Sequence, residues 1–366
     1  MPTPARNSRR TFLKASSVGG LAVLAGCISA PNAEEPSDPT PTQSEPNESA
    51  ELDPPMETDV DGIAADPTDV PPPVDWDEPR HHEIEMTTTE RVAEIEPGVT
   101  FNFMTFDDQV PGPLLRVRRG DTISLELTND EANAMPHNID LHAVYGPGGG
   151  AVDTTVDPGE TAEIQFRVEY PGIHIYHCAV PNMDYHISAG MFGAILVEPE
   201  EGLPAVDREF YFGQHELYTT GDPGQEGHHE FDLDAMAREE PTYVVTNGEA
   251  YAFTSEGSYG PLEATQGERI RVYLANGGPN LISAWHPIGN VWSNLYRDGD
   301  LLSPPSRYVE TTPVAPGTVT AGELETPVPG PIKLVDHALS RVVRKGRLAV
   351  IDVDGTADDD IYDPAP

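Results

Sequence analysis

The sequence is poor in several things at once, and each shortage excludes a class of protein. Its 366 residues include two cysteines, Cys27 and Cys178, and three lysines, Lys14, Lys333 and Lys345. Two cysteines in unrelated settings exclude a disulfide framework. The scarcity of lysine leaves 21 Lys+Arg against 62 Asp+Glu, a formal net charge of −41. A surface of that sign repels nucleic acid and anionic lipid, so neither is expected as a partner. Long apolar runs are also missing, and a membrane-spanning helix needs about 20 such residues. A folded acidic chain with almost no lysine is expected of a halophile. In molar salt the Debye length falls to about 3 Å and the self-repulsion is largely screened.

What is present begins with an export segment. Ser8-Arg9-Arg10-Thr11-Phe12-Leu13-Lys14 precedes a short apolar run that ends at Leu24-Ala25-Gly26-Cys27. Paired arginines before such a run resemble a twin-arginine signal, and Leu-Ala-Gly-Cys resembles a lipobox. Residues 1–27 are therefore expected to be a signal that leaves Cys27 lipidated. The chain would then sit on the extracytoplasmic face of the cell membrane, touching the membrane only through that anchor. Residues 28–78 are dense in Pro, Glu, Asp, Ser and Thr. Such a composition buries too little apolar surface to offset its ordering entropy, which predicts a disordered acidic tether.

Beyond the tether the pattern changes to short strands. Ile123, Leu125 and Leu127 alternate with Ser124, Glu126 and Thr128, and Ile164, Phe166 and Val168 alternate with Gln165, Arg167 and Glu169. A period of two indicates a half-buried antiparallel sheet, and no stretch of helical period competes over a comparable length. The chain also repeats. Gly120-Asp121-Thr122-Ile123 through Asn129 returns as Gly267-Glu268-Arg269-Ile270 through Asn276. Each copy runs to a histidine (His137, His286), then a Pro-Gly turn, then another histidine (His177, His337). An ordered series of matches predicts an all-β chain of two tandem sandwich domains, over 79–198 and 205–355.

The twelve histidines cluster. Met135-Pro136-His137-Asn138-Ile139-Asp140-Leu141-His142 is followed by Tyr176-His177-Cys178-Ala179, then His186 and Met191. One cysteine, two histidines and a methionine in this order suit a mononuclear (type 1) copper electron-transfer site: His137, Cys178 and His186 in a trigonal plane, with Met191 as a weak axial thioether. A buried Cys or Met is by itself ordinary core packing; the four together are not. Successive strand side chains point to opposite faces, so His177 faces away from Cys178, and Asp140 and His142 share a face. Two imidazoles and a carboxylate there make an incomplete metal site. A third imidazole would complete it, leaving a position open for water or substrate. His286 and His337 are the candidates, and a cyclic homotrimer, each second domain closing its neighbour's site, would bring one into reach.

Over roughly residues 80–355 the sequence resembles the two-domain copper nitrite reductases, a family of cupredoxin trimers. The resemblance rests on Phe101-Asn102-Phe103 through Pro111-Gly112-Pro113, the histidine-rich segment 135–142, Tyr176-His177-Cys178-Ala179-Val180, and the segment Asn276 to Gly289 that contains Trp285-His286-Pro287-Ile288. It implies two tandem cupredoxin-like Greek-key sandwiches with one type 1 and one type 2 copper per subunit. His142 and His177 would hold the type 2 copper, with His337 given by the adjacent subunit. Asp140 and His286 would be the catalytic pair, and Ile288 would shape the nitrite pocket. The Cys178–His186 interval looks like the subgroup with a compact ligand loop. The implied reaction is the one-electron reduction of nitrite to nitric oxide in denitrification, fed by a small soluble cupredoxin or cytochrome. The acidic N-terminal extension, the extreme charge and Pro287 depart from the family pattern.

Two other functions compete. A two-domain multicopper oxidase needs a trinuclear cluster built from paired His-X-His motifs and a His-Cys-His run, whereas here Ala179 follows Cys178. A plain type 1 copper electron carrier explains His137, Cys178, His186 and Met191 but leaves Asp140, His142, His286 and His337 idle. His81, His82, His228 and His229 are expected to be solvated, and His174 and His215 carry no assigned role.

Overall fold

The computed structural model describes residues 51–364. The twin-arginine segment, the lipobox and Cys27 lie outside the described residues.

Among the described residues, twenty strands form four sheets. The first has the order 227–229, 99–106, 81–96, 122–129 and 161–167. The second has the order 114–118, 192–198, 172–177 and 140–141. The third runs 243–246, 208–217, 269–278, 318–325, 292–296 and 306–309. The fourth runs 262–265, 348–354, 330–336, 283–288 and 312–314. Alternation in the sequence becomes alternation in burial: Ile123, Leu125 and Leu127 are fully buried while their neighbours reach the surface. Each such side chain contributes about 1.5–3 kcal/mol by leaving water.

The sequence repeat reappears as repeated topology. Strand Thr122–Asn129 lies parallel to His81–Glu96 and antiparallel to Thr161–Arg167. Strand Arg269–Gly278 lies parallel to Arg208–Leu217 and antiparallel to Thr318–Glu325. In the other sheet of each copy, Gly172–His177 and Gly330–Asp336 each sit between the same two kinds of antiparallel neighbour. This is a pair of cupredoxin-like β-sandwiches. They are not cleanly partitioned, because strand Gly227–His229 of the second half of the chain joins the first sheet beside Val99–Phe106. Tyr211, Leu217, Tyr273 and Val319 likewise pack into the buried cluster of the first sandwich. The second has its own core around Trp285 and Trp292, whose rings lie 4.0 Å apart.

The expected tether is corrected by the structure where it is described. Residues 51–78 run as a strap along the sandwiches. Asp59 and Val92 exchange two hydrogen bonds. Val110 donates to the Ile63 carbonyl, and the Ala65 amide returns a bond to Val110. Glu249 accepts from the Ile63 and Ala64 amides, Asn247 Nδ2 donates to the Ala65 carbonyl, and Arg116 donates to the Pro71 carbonyl. Composition counts side chains, whereas this strap is held mostly by its main chain, with Ile63 as a fully buried anchor.

Candidate metal centres

Strand Gly172–His177 delivers two neighbours to two places. Cys178, just past its end, turns into the first sandwich. The Cys178 amide donates to the Met191 carbonyl and the Met191 amide to the His186 carbonyl. These bonds close a loop that carries the short helix Met183–Ser188. Cys178 Sγ then lies 3.9 Å from His137 Nδ1 and 3.6 Å from His186 Nδ1, all three residues being buried. Metal bonds of roughly 2.0 Å to nitrogen and 2.3 Å to sulfur, as zinc makes, would separate S from N by about 3.7 Å in a trigonal plane. The donor set fits a soft thiolate-and-imidazole metal such as copper. Met191 is fully buried beside it. Burial raises the Cys178 thiol above its ordinary pKa, partly offset by nearby amides; a bound metal ion would hold the thiolate instead. Burial also pushes His186 down to about 4, so its ring is neutral and its lone pair available at neutral pH.

His177 faces the other way. It stands opposite Asp140 across the strand pair, and the His142 amide donates to the Ile175 carbonyl, so all three side chains share one face. His177 Nδ1 lies 2.9 Å from the Cys178 carbonyl. That contact requires a proton on Nδ1 and leaves Nε2 with the lone pair. Nε2 lies 3.1 Å from His142 Nε2. Asp140, His142 and His177 thus form a second group able to hold a metal ion, its ligand atoms all within 4.8 Å of one another. It is more open than the first: His177 is buried, Asp140 half-buried and His142 exposed. Desolvation of the ring, followed by the neighbouring His177, keeps His142 below its ordinary pKa.

His286, His337 and Ile288 lie outside that group: His286 and Ile288 are in a strand of the fourth sheet and His337 follows the end of the strand beside it. The His286 and His337 rings are 5.3 Å apart, and His286 Nδ1 donates to the Glu310 carbonyl. His337 and Ile288 are exposed. Pro287 is buried in the same strand, and a proline there removes a main-chain donor while leaving the Nδ1 contact intact.

Four supporting residues escaped the sequence reading. Asn138 accepts from the Ala179 amide at 2.6 Å, 3.7 Å from Cys178 Sγ, bracing the cysteine. Glu90 faces the His137 ring. Asp336, fully buried, accepts from the Ala338 amide just after His337, from the Ala284 amide on the neighbouring strand and from Arg341. Gly149 has left-handed φ of 57°, and a Cβ there would lie 2.0 Å from Asp140 Oδ1. Only Asn138 and Gly149 had a signal, the first as a polar residue beside His137 and the second as part of a Pro-Gly-Gly-Gly turn.

The bland histidines divide. His81 is exposed as expected. His82 binds Asp121 at 2.8 Å. His228 and His229 are a correction: both are buried, bonded to Thr100 and Thr219 respectively, because their strand adds to the first sheet instead of forming a loop. His215 is fully buried, with Nδ1 donating to the Ser188 carbonyl and no hydrogen-bond partner on Nε2.

A family profile described as multicopper oxidase matches residues 87–202. The copper-containing nitrite reductase of Neisseria meningitidis serogroup B is 41% identical over 302 residues, spanning 82% of this chain and 76% of its own. A copper nitrite reductase structure from Nitrosomonas europaea superposes with a TM-score of 0.68 at 31% identity, over 76% of this chain and 95% of that one. A multicopper oxidase crystal structure follows at 0.62 and 27%, over 75% and 89%. The match to the Neisseria relative exceeds what a shared sandwich alone would give, and the chain belongs to the copper-containing nitrite reductase family.

Proposed function

We propose that the protein reduces nitrite to nitric oxide and water, taking up one electron and two protons, with two copper ions per subunit. His137, Cys178, His186 and Met191 would hold the first, and His142, His177 and the His337 of a neighbouring subunit the second. Bound copper would supply one-electron redox chemistry at the first place and a Lewis acid at the second. The observation that carries the reading is the juxtaposition of two donor groups back to back across the His177–Cys178 peptide, which joins them covalently.

The remaining roles belong to the chain. Asp140 stands beside the two imidazoles, where its carboxylate can hold a proton next to bound nitrite. His286, its Nδ1 proton engaged by the Glu310 carbonyl, keeps Nε2 free to take up and deliver a second. Ile288 is an exposed apolar wall. The open group on one sandwich and the two surface histidines on the other support a cyclic homotrimer, in which heterologous contacts close the ring. Export by the twin-arginine route, lipidation at Cys27, an extracytoplasmic position, adaptation to high salt and a small soluble electron donor complete the reading.

The test is nitric oxide production from nitrite by copper-loaded protein in high salt with an artificial reductant, alongside a copper count. Production by a two-copper protein is expected. Oxygen consumption without nitric oxide would favour an oxidase, and one copper without turnover would favour an electron carrier.

A further inference from the structure

We propose that Glu90 is the positioning residue of the first copper site: its carboxylate fixes which nitrogen of the His137 ring meets the metal and sets the copper's reduction potential. The inference rests on the reading of His137 and Cys178 as ligands.

Glu90 lies in strand His81–Glu96, remote in sequence from every candidate ligand. One oxygen, Oε1, meets three donors: the Ala134 amide at 3.1 Å, the Met135 amide at 2.9 Å and His137 Nε2 at 3.2 Å. A carboxylate only accepts, so Nε2 must carry the proton and Nδ1 the lone pair. Nδ1 is the atom that faces Cys178 Sγ. The same oxygen ties down the segment leading into His137, so ring orientation and ring tautomer come from one contact. Carboxylate–histidine–metal triads work this way, and loss of the outer partner typically weakens metal binding or activity about 10–100-fold.

The charge has a separate consequence. The His137 ring is fully buried, while the Glu90 side chain is only 22% exposed. A negative charge hydrogen-bonded to a ligand imidazole favours the more positive, oxidised copper. Its removal should therefore raise the potential.

E90Q separates the two contributions, because glutamine keeps an acceptor oxygen for the Ala134 and Met135 amides but carries no charge. The copper-loaded full-length protein would be titrated with redox dyes while its visible charge-transfer band and its Tm are followed. We expect E90Q to keep its band and Tm and to favour reduced copper about tenfold more than wild type, about 59 mV for one electron. E90D, which keeps the charge, should shift less. E90A, which removes the acceptor as well, should lose its band and regain it with a tenfold or greater excess of copper; an E90A band unchanged at stoichiometric copper would overturn the positioning role. An unchanged potential with an intact band would overturn the proposal, and a lowered Tm with unchanged potential would reduce Glu90 to a loop clip. H137A serves as the control. If it keeps the band, or if wild type shows none, the ligand assignment fails, separately from the role given to Glu90.

Discussion

The two donor groups share a peptide bond and almost nothing else. The first is closed: Cys178, His137 and His186 are buried, and each is held by main-chain or side-chain contacts from one sandwich. The second is open, with His142 exposed, and the histidines suited to finishing it sit on the surface of the other sandwich. A site that only passes electrons gains from rigidity and dryness. On the proposed reading the second must admit an anion and two protons, which needs an open position.

Replacing one ligand on each side should sharpen that contrast most. Cys178→Ser should abolish the visible band and keep one copper, whereas His337→Ala should keep the band and lose the other copper. Both should cut turnover by more than about 100-fold, beyond the range for merely supporting residues. Metal analysis of the two variants checks this, and loss of both coppers from either would show that the sites are not independent.

Gly149→Ala comes next. The added methyl falls on the Asp140 carboxylate, at a backbone angle that side chains rarely adopt. Turnover should drop about 10–100-fold with both coppers retained, measured as nitric oxide release per copper. Unchanged turnover would remove Asp140 from the reaction.

Asp336→Asn probes the far half. Losing the charge that ties the residue after His337 to the neighbouring strand should weaken the second copper about tenfold and leave the first untouched. A competition titration with a chelator, followed by electron paramagnetic resonance, separates the two.

The smallest effect is on stability of the metal-free protein. Burial pushes the His215 imidazole down to about 4, against about 6.5 in an unfolded chain. Between those values the unfolded chain holds more protons, so stability is intact above about pH 6.5 and falls as the pH drops towards 4. The slope contributed is at most about 1.4 kcal/mol per pH unit. Denaturant titrations at several pH values should show it flattened in His215→Gln. An equal slope in the variant would assign it to other groups.

Much of this was legible in the residues. Alternation at Ile123–Leu127 and its return at Ile270–Leu274 specified strands and duplication, because a period of two has one structural solution. The order His137, Cys178, His186, Met191 predicted a soft-metal donor set, and the structure brings the first three side chains together. Strand parity alone set His177 and Cys178 on opposite faces. Other features depended on contacts between segments far apart in the chain. The strap at 51–78 reads as disordered by composition, since main-chain hydrogen bonding leaves no mark on side-chain statistics. His228 and His229 read as a polar loop until a strand from the first sandwich paired with them. Glu90 and Asp336 look like ordinary acids in a chain with 62 of them. Sequence spacing determines what a segment can present, but only the folding of one segment against another decides which carboxylate meets which imidazole.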